Sequence, residues 1–279
     1  MSYRTILVHL DETPRCTLRV ALAARLARRH ESHLLGLAPT GAAEALRQVG
    51  GTFGAVEEAE WSRAALHARA QSTAHCFQAQ AAACGTPSFE ARLHEADVLA
   101  SMLQHARNSD LLVIGQNDRA SGEPAVPADF AQQLLLQSGR PVLIVPGRGE
   151  VQDVGERIVV AWNNSRESAR AMSDALPLLA RARSVHLLFV DAADNDAVAP
   201  THELEASCEW LRRHGVAAEG RRVLSAAEAG RALLSGVEEL GADLLVMGAY
   251  GHTRLREFIL GGATRTLLSH MNVPVLMSR

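Results

Sequence analysis

Short apolar runs alternate with amphipathic stretches along the whole chain, and the alternation is played out twice. In the first half the pattern predicts strands over 5–10, 33–38, 88–94, 111–114 and 142–145, separated by helices over 15–30, 57–84 and 97–107. Leu18, Leu22 and Leu26 mark the apolar face of the first of these helices, and Asp97 stands where the third needs an N-cap. Runs such as Leu111-Leu112-Val113-Ile114 show no polar alternation, as expected of parallel strands covered on both faces. The second half predicts strands over 157–161, 185–190, 217–223, 244–247 and 275–277. Its helices are expected over 165–182, 202–214 and 226–240, with one more through Leu267 and Leu268.

The two halves are copies of each other. The run DLLVIG from Asp110 returns as DLLVMG from Asp243, and PVLI from Pro141 returns as PVLM from Pro274, both 133 positions on. The opening strands, at Ile6 and Ile158, are 152 positions apart, so the first half carries 19 additional residues before Asp110. The Gly- and Ala-rich stretch 41–54 and the helix after it are the place for them. Gly and charge without periodicity mark 147–155 as a linker. The expected architecture is α/β: two tandem domains, 1–147 and 156–279, each a five-stranded parallel sheet in the order 3-2-1-4-5 flanked by helices. Both closing strands, 142–145 and 275–277, are apolar and lie at a sheet edge. The halves are therefore expected to meet through them as an intramolecular pseudo-dimer. Whole chains are left free to form a homodimer.

Composition narrows the partners. A formal net charge of -3 gives no general attraction to nucleic acid or anionic membrane, and 4% aromatic residues form no basic-aromatic stripe for RNA. No apolar run is long enough to span a bilayer. Cys16, Cys76, Cys84 and Cys208 form no CxxC pair and read as free thiols, which fits a cytoplasmic location. Twelve histidines are scattered, with no HExxH spacing, and no metal site or catalytic constellation is expected.

The chemistry-bearing motif follows the fourth strand of the second half. It reads Gly248-Ala249-Tyr250-Gly251, then nine residues, then Gly261-Gly262-Ala263-Thr264 opening a helix. Glycines at a strand end let backbone approach a ligand, and a helix start presents free N–H groups to an anion. Thr264 can add a hydroxyl donor. His252, Arg254, Arg256 and Arg265 flank the same loop. The pattern is neither a Walker A loop nor a GxGxxG fingerprint. From these residues alone, a phosphate cradle and a set of turn and cap glycines both stand.

This motif, set between DLLVMG and VPVL, resembles that of the universal stress proteins that bind ATP, and the resemblance covers both halves. It implies Rossmann-like domains of the adenine nucleotide alpha hydrolase type. It also implies an adenine nucleotide, ATP or AMP, with Mg as a possible companion. Gly248, Gly251 and Gly261 fit the family pattern, and Gly262 stands where the family has Ser or Thr. Ala161, Trp162 and Asn163 end the first strand, where the family holds adenine and ribose, commonly with an Asp. Val190 and Met247 match adenine-contacting positions. In the first half Gly115 matches Gly248, but Asp118, Ala128, Asp129 and Ala131 match Gly251, Gly261, Gly262 and Thr264. Two carboxylates oppose an anion there. Asp11 keeps the family acid.

Three functions follow in order. The first is a nucleotide-binding regulatory protein of the stress response, with its nucleotide in the second half. The second is an interaction module without nucleotide. The third is a slow ATPase, ranked last because no residue stands out as a water-activating base.

Overall fold

The computed structural model describes residues 2–41, 55–117, 126–149, 151, 153–192, 201–250 and 262–279, with backbone alone for 55–62 and 201. The chain divides into two compact units, Ser2–Arg140 and Pro141–Arg279.

The first unit contains strands β1 (Thr5–His9), β2 (His33–Pro39), β3 (Ser88–His94) and β4 (Leu111–Gly115), with helices α1 (Cys16–His30), α2 (Ala55–Ala83), α3 (Val98–Ala106) and α4 (Phe130–Gln137). The strands are parallel in the order β3-β2-β1-β4. β1 and β4 are buried along almost their whole length, which explains their unbroken apolar sequence. The expected cap of α3 is made: Asp97 Oδ1 accepts a hydrogen bond of 2.8 Å from the Ala100 N–H. The apolar face of α1 differs from expectation. Leu18 is only half-buried, while Arg19 sits inside the stripe with Leu22, Ala23 and Leu26 and is 2% exposed.

The second unit opens with β5 (Val142–Val145). It continues through β6 (Arg157–Ala161), α5 (Arg166–Asp174), α6 (Leu176–Leu179), β7 (Ser184–Ala192), α7 (Thr201–Arg213) and β8 (Ala218–Ser225). It closes with α8 (Ala229–Glu239), β9 (Leu244–Gly248), α9 (Gly262–His270) and β10 (Val275–Ser278). Here the order 3-2-1-4-5 is read directly as β8-β7-β6-β9-β10, all parallel, and β1 to β4 repeat its first four places. β5 pairs antiparallel with β10, Leu143 opposite Leu276. The two closing strands thus join each other, and every residue of both is buried.

One detail corrects the sequence reading. The helix expected over 165–182 breaks at Ala175 into α5 and α6, because Pro177 enters the first turn of α6 and cannot extend a helix from behind. The helix expected to carry additional residues of the first half does so: α2 has 29 residues where α7 has 13.

Glycines show which helices cover which face. A side chain at Gly248 would run into the backbone of Glu167 and Ser168 in α5, and one at Gly220 would meet Leu204 of α7 at 2.7 Å. A side chain at Gly236 of α8 would meet Leu188 Cδ1 at 2.6 Å, and α9 lies on α8 where Gly230 faces Thr266. Leu188, Ala161 and Met247 share one register row, so they lie on the face covered by α8. Strand alternation puts Val160, Trp162 and Gly248 on the opposite face, under α5 and α7.

Candidate functional site at the strand ends

Parallel α/β sheets bind ligands beyond the carboxyl ends of their strands. In the second unit, Ala161 and Met247 end β6 and β9 on the α8 face. Val190 follows two residues beyond Leu188 in β7 and keeps that face, and Asn163 lies two residues past the end of β6. Ala161 and Val190 are half-buried, Met247 is buried and Asn163 is exposed. Asn163 Oδ1 accepts hydrogen bonds from the Ser165 N–H (3.2 Å) and Ser165 Oγ (2.7 Å), and Ser165 in turn caps α5. Trp162 lies on the other face, 7% exposed, and its Nε1 has no hydrogen-bond partner. The structure therefore puts Ala161, Val190 and Met247 on one face of the sheet and Gly248 on the other, with Asn163 turned to the start of α5.

Gly251, Gly261, His252, Arg254 and Arg256 lie outside the described residues. Tyr250 leads into that segment with φ 64°, in the left-handed region that favours glycine. Burial pushes its hydroxyl up to about 12, against the opposing charge of Arg279, and the hydroxyl has no hydrogen-bond partner. Gly262, Ala263 and Thr264 form the first turn of α9. Gly262 is exposed, Ala263 half-buried and Thr264 buried, while Arg265 is exposed. Sequence reasoning missed Glu228. Its Oε2 accepts a 2.8 Å hydrogen bond from Thr266 Oγ1, and its Oε1 stands 2.7 Å from where a side chain at Gly262 would begin. A Ser or Thr at 262 would have to displace that carboxylate.

The same place in the first unit is filled from within. Asp11 Oδ1 accepts from the Thr13 N–H (3.0 Å) and Thr13 Oγ1, repeating the Asn163–Ser165 turn. Its Oδ2 lies 2.8 Å from Arg19 Nη2, and Arg19 Nε donates a 2.8 Å hydrogen bond to the His9 carbonyl. The Arg19–Asp11 contact is an ion pair without hydrogen-bond alignment. Arg19 Nη1 also presses on Gly115, the counterpart of Gly248. Burial alone would raise the Asp11 carboxyl, but Arg19, His9 and the Thr13 hydroxyl together hold it below the usual range. Burial, with Arg19, brings the His9 imidazole down to about 4, against the pull of Asp11. The His9 ring lies 5.5 Å from the Phe130 ring, and both are buried. Asp129, just before α4, accepts from Gln133 Nε2 at 3.2 Å and places a carboxylate at that helix start.

The repeat turns this into a comparison. His9 corresponds to Ala161, Phe130 to Ala263, and Arg19 to Ala171. Two rings that touch in the first unit are two methyl groups in the second, both only half-buried.

Two cavities lie elsewhere. One, of about 320 Å³, runs between α1 and α2 beside Asp11 and is lined by Cys16 and Cys76 among others. The second, of about 700 Å³, lies between α7 and the edge strand β8 around Cys208. All four cysteines are free. Among the described residues, no group of three His, Cys, Asp or Glu side chains is placed to hold a metal ion, and no helix is long and apolar enough to cross a membrane.

Comparison with known proteins agrees with this architecture. The sequence model of the Universal stress protein family matches the chain twice, over residues 2–146 and 155–279. A universal stress protein of Synechocystis sp. is 24% identical over 197 residues, 67% of this chain, and the match spans 64% of that relative's length. Among solved structures, a universal stress protein from Archaeoglobus fulgidus superposes with a TM-score of 0.76 at 16% identity, over 99% of this chain and 98% of that one. A putative universal stress protein from Pseudomonas aeruginosa gives a TM-score of 0.59 at 17% identity, over 99% of this chain and 93% of that one.

Proposed function

The chain belongs to the universal stress protein family, and we propose that it binds one adenine nucleotide, ATP or AMP, in its second unit as a regulatory protein of the stress response in the cytoplasm. The observation that carries this reading is the exchange of the touching His9 and Phe130 rings for Ala161 and Ala263. The base takes the space between Ala161, Val190 and Met247. Asn163 offers its amide to the ribose in place of the Asp that Arg19 neutralises in the first unit. The N–H groups of Gly262, Ala263 and Thr264 at the start of α9 serve the phosphates, and Gly248 and Tyr250 open the segment before them. Any Mg²⁺ would come with the phosphates of the nucleotide. Slow ATP hydrolysis ranks behind binding in this reading, because no residue in the sequence stands out as a water-activating base.

Thermal unfolding with and without ATP or AMP tests it. The wild type should be stabilised by either nucleotide, and Ala263→Phe, which restores the first unit's ring, should lose that response while remaining folded. An equal response in wild type and Ala263→Phe would place the nucleotide elsewhere. No response in the wild type would leave an interaction module, a reading that the Glu228 carboxylate at the start of α9 favours.

A further inference from the structure

Glu228 and Asp97 hold the same place in the two units, immediately before the helix that follows the third strand. Asp97 caps its own helix, through the 2.8 Å hydrogen bond from Ala100. Glu228 does not cap α8: its side chain, one methylene longer, crosses to α9 and engages Thr266 there. Its other carboxylate oxygen stands against Gly262, at the first residue of the helix. An anion is favoured at a helix start, where free N–H groups and the helix dipole converge. In this chain a carboxylate of the protein already stands beside the first residue of α9. The substitution of glycine at 262 is what gives it room.

We infer that Glu228 determines which nucleotide the second unit accepts: its carboxylate occupies ground that a phosphate would take, so the site selects against phosphate charge and prefers adenosine or adenosine monophosphate to the triphosphate. This rests on the adenine reading above and adds to it. Phosphate oxygens approaching Gly262 meet a like charge, and the opposition grows with each charge the ligand brings. The neutral nucleoside meets none. Glu228 acts as a stand-in anion that the ligand must displace.

Two substitutions separate this from a structural role. Glu228→Gln removes the charge and keeps the hydrogen bond with Thr266. Glu228→Asp shortens the side chain so that it caps α8 as Asp97 caps α3. Calorimetric titration of the whole protein with adenosine, AMP and ATP is the measurement. The wild type should bind AMP at least as tightly as ATP. Both variants should bind ATP about five- to thirtyfold more tightly, from the removal of one or two like-charge contacts at roughly 4 Å, with AMP gaining less and adenosine unchanged. An ATP affinity that is unmoved or weakened in both variants overturns the inference, as does an equal gain for all three ligands. A purely structural role would lower the unfolding midpoint and leave the ratio of affinities alone. A parallel series uses inorganic tripolyphosphate in thermal unfolding. It should stabilise Glu228→Gln and not the wild type, and identical responses overturn the inference. That series needs no adenine, so a protein that ignores adenosine defeats the nucleotide reading while the role of Glu228 is still decided.

Discussion

The Arg19 guanidinium lies 2.8 Å from the Asp11 carboxylate at the end of β1, and Arg19 is 2% exposed. Removing one partner leaves a charge buried alone, which typically costs about 3–5 kcal/mol. Arg19→Ala should lower the unfolding free energy by that amount in urea titration. Replacing both together, as Arg19→Met with Asp11→Asn, should cost much less. A single substitution as mild as the double would show that the pair is not coupled.

His9 predicts a pH window. Its pKa falls from 6.5 to about 4 on folding, through burial and Arg19. Between these values the unfolded chain binds the proton and the folded chain does not, so stability declines as pH falls from 6.5 towards 4. Asp11, also depressed, adds to the decline at the acid end. The His9 contribution is on the order of 3 kcal/mol across the window. His9→Leu should flatten the curve there, measured as urea unfolding free energy against pH. An unchanged slope would mean that His9 is protonated in the folded protein.

Much of this was legible in the sequence. The offset of 133 between the two DLLV runs reveals the repeat, and unbroken apolar stretches such as Leu111 to Ile114 reveal the buried strands. Helix α4 was not foreseen, although the same offset maps Phe130–Gln137 onto α9. Its eight residues are too few for periodicity to stand out. Arg19 has no place in an apolar-face reading because charged residues seldom enter such a stripe, yet its spacing to Leu22, Ala23 and Leu26 is that of the buried face. The position of Glu228 beside Gly262 depends on how α8 and α9 pack, and no local pattern encodes that.

The ring exchange can be run backwards. His9→Ala with Phe130→Ala empties the place that two buried rings share in the first unit. The cavity should lower stability by several kcal/mol, about 3–5 for the phenylalanine alone. The double variant should gain protection by adenosine in thermal unfolding. It should gain none from ATP beyond the wild-type response, since Asp129 remains at the start of α4. Protection by ATP at a second site would contradict this.

The β5–β10 pairing makes Leu143 a core residue, with no exposed surface and Leu276 opposite. Leu143→Ala should cost about 2–5 kcal/mol of unfolding free energy. Leu224, 58% exposed on β8, serves as the control: Leu224→Ala should stay within about 0.5 kcal/mol. Equal effects at the two positions would mean that β5 does not cover β10.

The central claim is one adenine nucleotide per chain, held by the second unit. Calorimetric titration of the whole protein with AMP reads its stoichiometry directly, and Gly261→Asp sets a carboxylate where the first unit carries Ala128, beside Asp129. The account predicts a single site per chain that is lost in Gly261→Asp. Two equivalent sites, or one site that survives Gly261→Asp, would contradict it.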